Sequence, residues 1–559
     1  MPQLIESGLP AAPDMDLVAQ RYRAFERALQ SGSSATWLPT FRAWDVLRRE
    51  LSTWASLTNL RFTQDTRDER ARAARDLVDE LDPMLTNFET EIKKQFIASG
   101  ERPQLEAELG AHAFRLWETD LTTFDPIVED DLIAESKLAA DYTSLIASIE
   151  VEFEGETLNL PALGKFATDA DRDVRHRAAS AKWNAFAACG PQLDFIYAEL
   201  VRLRDGIARK LGFKNFVELG YARMHRIDYD RAAVERYRDS VVADVVPLAN
   251  AIAQRAAKQH GIAALALWDE QLLTAAPSPK PLGDAKWIMD RTVESFTDLD
   301  PRLGSFAEMM DKNELTDLVA RTGKAGGGYC TKLATYGVPF IFSNFNGTKG
   351  DITVLMHELG HAFQGYSSRD KAVLDYLSPT LESAEVHSMS LEYLTWPYME
   401  RFFGDGAQAY RDAHLSESIM FLPYGVAVDH FQHLVYESPN ATPDERHLMW
   451  QWCEKRYLPW RSYGDLERPA KGAFWQGQLH IYRVPFYYID YTLALCCALQ
   501  MWASSYEDPA GTLERYVRLC ARGGEAAFRT LVTSAGITSP FDPGALSRVV
   551  ARAKDVLGL

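Results

Sequence analysis

The chain has 559 residues, a length at which a single hydrophobic core gives way to at least two lobes. Asp and Glu number 78 against 60 Lys and Arg, and the formal net charge of −18 excludes nucleic acid and anionic membrane as expected partners. Six cysteines, Cys189, Cys330, Cys453, Cys496, Cys497 and Cys520, show no CxxC spacing, so reduced thiols are expected rather than a disulfide framework.

The N-terminus has no basic segment followed by an apolar run, and the longest apolar stretch, around "LALCCALQMW", is too short to cross a bilayer. A soluble, cytoplasmic protein is the expectation. Residues 15 to about 145 predict long helices, since "LVAQRYRAFERALQ", "FRAWDVLRRELSTWA" and "ERARAARDLVDELDPMLTNFETEIKKQF" place apolar residues three and four apart between charges. "VEFEGETLNL" interrupts them: alternation on either side of Glu154-Gly155 predicts a short hairpin near 151–160. Helices resume at "DRDVRHRAASAKWNAF". The Pro-rich "AAPSPKPLGD" at 275–284 and the glycine cluster "GKAGGGYCTK" at 323–332 read as loops. "VPFIFSNFNGT", opened by Pro339 and closed by Asn346-Gly347, reads as a strand at or near a sheet edge, where a missing N–H is tolerated and an extended peptide could add.

The stretch "TVLMHELGHAFQ", 353–364, carries the chemistry. A helix over 351–366, with Asp351 as its cap, puts Ile352, Leu355, Leu359, Phe363 and Tyr366 on one arc and His357 with His361 on the other side. Two histidines four apart on one helical face can share a tetrahedral ion, and Glu358, one step round, is offset as a base for activated water. A catalytic zinc needs a third protein ligand. "SPTLESAEVHSMSLEYLTW" predicts a helix over 379–395 started by Ser378-Pro379, and offers Glu382, Glu385, His387 and Glu392. The three acids share a face whose ordinary explanation is a charged surface. Further on, "HIYRVPFYYIDY", 480–491, supplies His480, Tyr482, Tyr487, Tyr488 and Tyr491, either as donors to a developing oxyanion or as core packing. His112, His176, His225, His260, His414, His430, His433 and His447 show no ligand pattern.

"HELGHAFQ" followed by "AEVHSMSLEYL", preceded by "GGGYCT" and "PFIFSNFNGT" and followed by "HIYRVPFYYIDYTLA", resembles the zinc metallopeptidases of the thimet oligopeptidase and oligoendopeptidase F family. The resemblance runs from about 320 to 500. It implies a mainly α, two-lobed zincin-type fold with a deep substrate channel and a small β-sheet beside the HExxH helix. It also implies an N-terminal helical lobe over 1–180 and a catalytic region over 181–559. One zinc ion per chain is expected on His357, His361 and Glu385, with Glu392 as an outer acid fixing a histidine tautomer, Glu358 as general base, and His480, Tyr488 and Tyr491 as substrate-facing donors. Val484-Pro485 stands where thimet-type members carry glycines and a tyrosine, which points to the oligoendopeptidase F branch. The expected activity is cleavage of internal bonds in short unfolded oligopeptides. A zinc carboxypeptidase or carboxydipeptidase, or a non-catalytic peptide-binding relative, is the alternative.

Overall fold

A computed structural model describes residues 8–31 and 34–559. The described residues are mainly helical. The strands among them are β1 (Glu150–Phe153), β2 (Glu156–Asn159), β3 (Thr316–Val319), β4 (Tyr329–Leu333) and β5 (Val338–Phe345). The chain divides into two compact units assembled from separated segments.

The first unit takes in the described part of Met1–Thr122 together with Ser278–Tyr410 and Cys497–Ser539. Its N-terminal helices, Met15–Gln30, Ser34–Gln64 and Glu69–Ala98, follow the predicted periodicity. Asp14 and Asp68 cap the first and third through their side chains, each accepting two backbone N–H groups. Their apolar faces build an aromatic core of Tyr22, Phe41, Trp44, Phe96, Phe114 and Trp117, which Val373 and Tyr376 join from far along the chain. The same unit holds a three-stranded sheet in the order β3-β5-β4, with β3 and β5 parallel and β4 and β5 antiparallel.

The sheet corrects one expectation. "VPFIFSNF" is the central strand β5, paired on both sides and unable to accept a further strand. Pro339 is tolerated because pairing with β3 starts only at Ile341, so Pro339 lies where β5 has β4 alone beside it. Among the described residues β3 and β4 are the two edges.

The second unit comprises Thr123–Pro277, Arg411–Cys496 and Pro540–Leu559. Strands β1 and β2 form the predicted antiparallel hairpin, and both turn residues, Glu154 and Gly155, have positive φ, as a two-residue turn of this twist requires. Helix Arg172–Ala188 packs against it, and helices Glu129–Ala147 and Gly190–Lys210 of the same unit pack on each other. All six cysteines are free thiols. No helix among the described residues is long and apolar enough to cross a membrane.

Candidate active site

The helix bearing HExxH runs Lys349–Ser367 and begins earlier than predicted, with Thr348 at the N-cap. Asp351 does not cap it. Its carboxylate turns back instead and accepts from the Asn346 N–H at 3.0 Å and the Gly347 N–H at 2.8 Å, fastening the turn that leads out of β5. Ile352, Leu355, Leu359 and Phe363 are buried on the predicted arc, while His357 and His361 keep about a fifth of their side-chain surface.

The second helix of the site runs Leu381–Leu394 from an N-cap at Thr380, two residues beyond the predicted start. It is not a charged surface: Glu382, Glu385 and Glu392 are all buried. The two helices cross where a Cβ on Gly360 would meet Ser388 Cα at 2.5 Å and the His387 carbonyl oxygen at 2.7 Å. This approach brings Glu385 to the histidines. Its Oε2 lies 3.2 Å from His357 Nε2 and 3.5 Å from His361 Nε2, and one ligand atom from each of the three residues falls within 4.8 Å of the others. Of the four acceptor candidates on this helix, Glu385 is the one the structure gathers with both histidines. His387 is wholly buried and is not gathered with them, and burial pushes its ring down to about 4, so it stays neutral.

Electrostatics and hydrogen bonds match a cation-binding donor set. Glu392 Oε1 is 2.7 Å from His357 Nδ1, which leaves Nε2 of that ring to face Glu385. Ser388 Oγ donates to Glu385 Oε2 at 3.0 Å and limits its rotation. Burial works against charge on His357, but hydrogen bonds to the Glu385 and Glu392 carboxylates outweigh it and raise the ring well above its usual value. Glu385 is likewise buried, yet its histidine partners hold it well below the carboxylate range. Two imidazoles and a carboxylate are a set of the kind zinc takes. Glu358 differs from these. Burial raises its carboxyl above the usual value, and its Oε2 has no hydrogen-bond partner among the described residues.

Three residues to which the sequence reading gave no role hold this arrangement. Gly360 and Ser388 set the helix crossing, and a glycine inside a strong helical pattern was the available signal for the first. Lys332 on β4 donates to Gln364 Oε1 at 2.7 Å, the Leu377 carbonyl at 2.9 Å and Ser378 Oγ at 2.7 Å, tying the edge strand to the HExxH helix and to the approach of the second helix. Burial pushes that ammonium down to about 8. Nothing in the sequence around Lys332 marks it. The glycine loop is pinned as well: Asn344 Nδ2 donates to the Ala325 and Gly327 carbonyls, both at 2.8 Å.

The residues of 480–491 lie in the second unit, on helices Leu479–Arg483 and Tyr488–Ser505 and the turn joining them. The structure gathers His480, Tyr488 and Tyr491 into one cluster, with ring centroids 5.0 Å apart for His480 and Tyr488 and 5.8 Å for His480 and Tyr491. Gln478 Nε2 lies 2.8 Å from His480 Nδ1, and Tyr424 Oη donates to Gln478 Oε1 at 2.6 Å. The Tyr487 and Tyr491 rings lie tilted at 49° to each other with centroids 4.8 Å apart. Tyr482 is core, wholly buried and stacked on Tyr142 at 3.9 Å. His430 and His433 join hydrogen bonds to Tyr457 and Tyr221 and gather no ligand set among the described residues.

With this geometry in hand, comparison with known proteins gives a consistent answer. Residues 166–549 match Peptidase family M3, and residues 11–124 match the Peptidase M3 N-terminal domain. The structure of PZ peptidase A with inhibitor 2 is 42% identical, covers 99% of each chain and superposes with a TM-score of 0.94. An oligoendopeptidase F structure from Bacillus anthracis str. Ames is 39% identical over 98% of this chain and 97% of its own, with a TM-score of 0.88. Oligopeptidase PepF of Bacillus subtilis (strain 168) is 24% identical over 238 residues, a match spanning 41% of this chain and only 35% of that relative's length. The chain therefore belongs to peptidase family M3.

Proposed function

We infer that this protein is a zinc-dependent endopeptidase that hydrolyses internal bonds of short, unfolded oligopeptides, with the reacting groups on 181–559. The observation that carries this reading is the convergence of His357, His361 and Glu385 within 4.8 Å beside a buried Glu358 oxygen that has no partner among the described residues. A zinc ion held there would supply Lewis acidity to water and to the scissile carbonyl. Glu358 Oε2 takes a proton from the attacking water as its oxygen bonds to the carbonyl carbon, holds it, and passes it to the amine nitrogen as the C–N bond breaks. Burial, which raises the Glu358 carboxyl, favours this proton-holding state. Glu392 keeps His357 in one tautomer, and Ser388 keeps Glu385 in one rotamer. His480, Tyr488 and Tyr491 are the substrate-facing donors, whose O–H and N–H groups meet charge developing on the carbonyl oxygen. The backbone groups on the outer edge of β4 suit an extended peptide and bind it with little regard to side chains.

The test is mass-spectrometric mapping of cuts in a mixed library of short peptides, with and without a chelator, for wild type and Glu358→Gln. Internal cuts are expected, including in C-terminally amidated peptides, and they vanish on chelation. Glu358→Gln keeps its zinc and loses about 10²- to 10⁴-fold in turnover. Equal turnover in wild type and variant overturns the mechanism, and cleavage confined to free C-termini selects a carboxypeptidase.

A further inference from the structure

Within the second unit, helix Arg172–Ala188 forms one wall of a cavity of about 390 Å³ that no step above uses. Its lining is dominated by Leu163, Trp183, Phe186, Trp268 and Phe474. Three charged side chains also reach it. Arg175 is fully engaged by Asp269 Oδ1 at 2.8 Å and by the Asp169 and Trp268 carbonyls, and Glu270 is held in a two-pronged pair by Arg461, both contacts at 2.8 Å. Lys182 has no carboxylate partner among the described residues. Its Nζ sits over the Trp183 and Phe186 rings, 5.3 and 6.0 Å from their centroids, and burial lowers its pKa with no acid nearby to offset the effect.

The wall thus carries one uncompensated positive charge in an apolar and aromatic chamber, at a volume typical of sites for small ligands. An ammonium in such surroundings is stabilised by an anion that brings its own apolar body. A peptide's last residue meets both requirements when its side chain is large and apolar, because the carboxylate and the apolar group leave the same Cα. The position of the cavity supports a peptide over other carboxylates. The turn Phe474–Gly477 that closes it runs directly into Gln478, which hydrogen-bonds His480.

We propose that this cavity receives the C-terminal residue of a peptide, its carboxylate on the Lys182 ammonium and its apolar side chain among Trp183, Phe186 and Trp268. The proposal rests on the oligopeptidase reading for the identity of the ligand and on the cavity alone for its chemistry, and the two are tested separately.

The first arm is calorimetric titration of the metal-loaded full chain with N-acetyl-phenylalanine and with N-acetyl-phenylalaninamide. The acid binds saturably and the amide at least about tenfold more weakly, as expected for loss of one charge-assisted hydrogen bond. Lys182→Met removes the preference and Lys182→Arg retains it. Ala179→Phe, which fills the chamber while keeping the lysine, abolishes binding of both probes. Equal binding of acid and amide, or an acid preference that survives Lys182→Met, overturns the site. This arm needs no turnover, so it reads the cavity even if the chain proves not to be a peptidase.

The second arm compares KM for one internally cleaved peptide ending in phenylalanine with its C-terminal amide. The free acid has a KM about tenfold lower in wild type, and that advantage disappears in Lys182→Met and persists in Lys182→Arg. If Lys182→Met abolishes acid binding in the first arm yet leaves the KM ratio intact, the occupant is a free small carboxylate and the peptide assignment is overturned.

Discussion

At the scale of single residues, the HExxH pair and its neighbouring acid were legible because a four-residue spacing fixes geometry on any helix. Glu385 was legible only through the wider family pattern, since Glu382, Glu385 and Glu392 share a helical face and nothing local separates them. Space separates them: Glu385 lies against both histidines, whereas Glu392 meets the far nitrogen of His357 at 2.7 Å. This division of labour predicts different variants. Glu392→Gln keeps all three metal-facing atoms but replaces a carboxylate with a neutral amide against His357 Nδ1, which lowers the basicity of Nε2 and loosens the ring. Zinc affinity, measured by competition with a chromophoric chelator, is expected to fall about 10- to 100-fold. Glu385→Gln removes a ligand and is expected to fall further. Equal affinities for Glu392→Gln and wild type refute the orienting role. Nothing in the sequence singles out Ser388, which acts through the Gly360 approach and its bond to Glu385, or Lys332, whose bonds to Gln364, Leu377 and Ser378 reach far along the chain, since a serine or a lysine is otherwise unremarkable.

At the scale of elements, the helices and the β1–β2 hairpin followed directly from periodicity and from Glu154-Gly155, while the sheet order did not. Pro339 argued for an edge strand, and the argument was sound for its own end of β5. It failed beyond Ile341, where β3 adds on the other side, because strand order depends on residues about 25 positions upstream that carry no local mark. Helix contact is similarly hidden, and Gly360 makes it testable. A methyl there would lie 2.5 Å from Ser388 Cα, a backbone atom that moves only if one helix moves. Gly360→Ala is therefore expected to cost about 1–3 kcal/mol and to weaken zinc binding, as Glu385 withdraws from the histidines. Gly206, inside helix Gly190–Lys210, has nothing within 4 Å of its ideal Cβ. The same substitution at Gly206 is expected to stabilise by about 0.4–1 kcal/mol through the unfolded chain and to leave zinc affinity alone. Urea midpoints for the two variants should move in opposite directions. If both rise, the crossing is not the tight contact described.

At the scale of the whole molecule, each compact unit is assembled from three separated segments, an organisation that no reading in chain order reveals, because long-range partners are chosen by burial and charge rather than by neighbours. The clearest instance is Arg48, on the N-terminal helix Ser34–Gln64, paired with Asp375 across 327 positions by two hydrogen bonds of 2.8 Å. Asp375 sits in the 3-10 turn Leu374–Tyr376, between the two helices that carry His357, His361 and Glu385, and Trp117 Nε1 also donates to it at 3.3 Å. Burial alone would raise this carboxyl, but Arg48 holds it below the usual carboxylate range. A depressed acid binds fewer protons folded than unfolded, so its contribution to stability is complete above the ordinary value of about 3.9 and is lost as pH falls through the folded value. Asp375→Asn leaves a buried guanidinium short of one partner and is expected to cost about 3 kcal/mol at pH 7. Because a protonated aspartic acid is nearly the same neutral group as asparagine, the gap between wild type and variant should begin to narrow as pH falls below about 4 and should keep narrowing until pH passes the depressed folded value. Urea midpoints at pH 7, 4 and 2.5 measure it. A gap that stays constant with pH would mean that shape and packing at Asp375, rather than its charge on Arg48, join the N-terminal helices to the segment between the ligand helices.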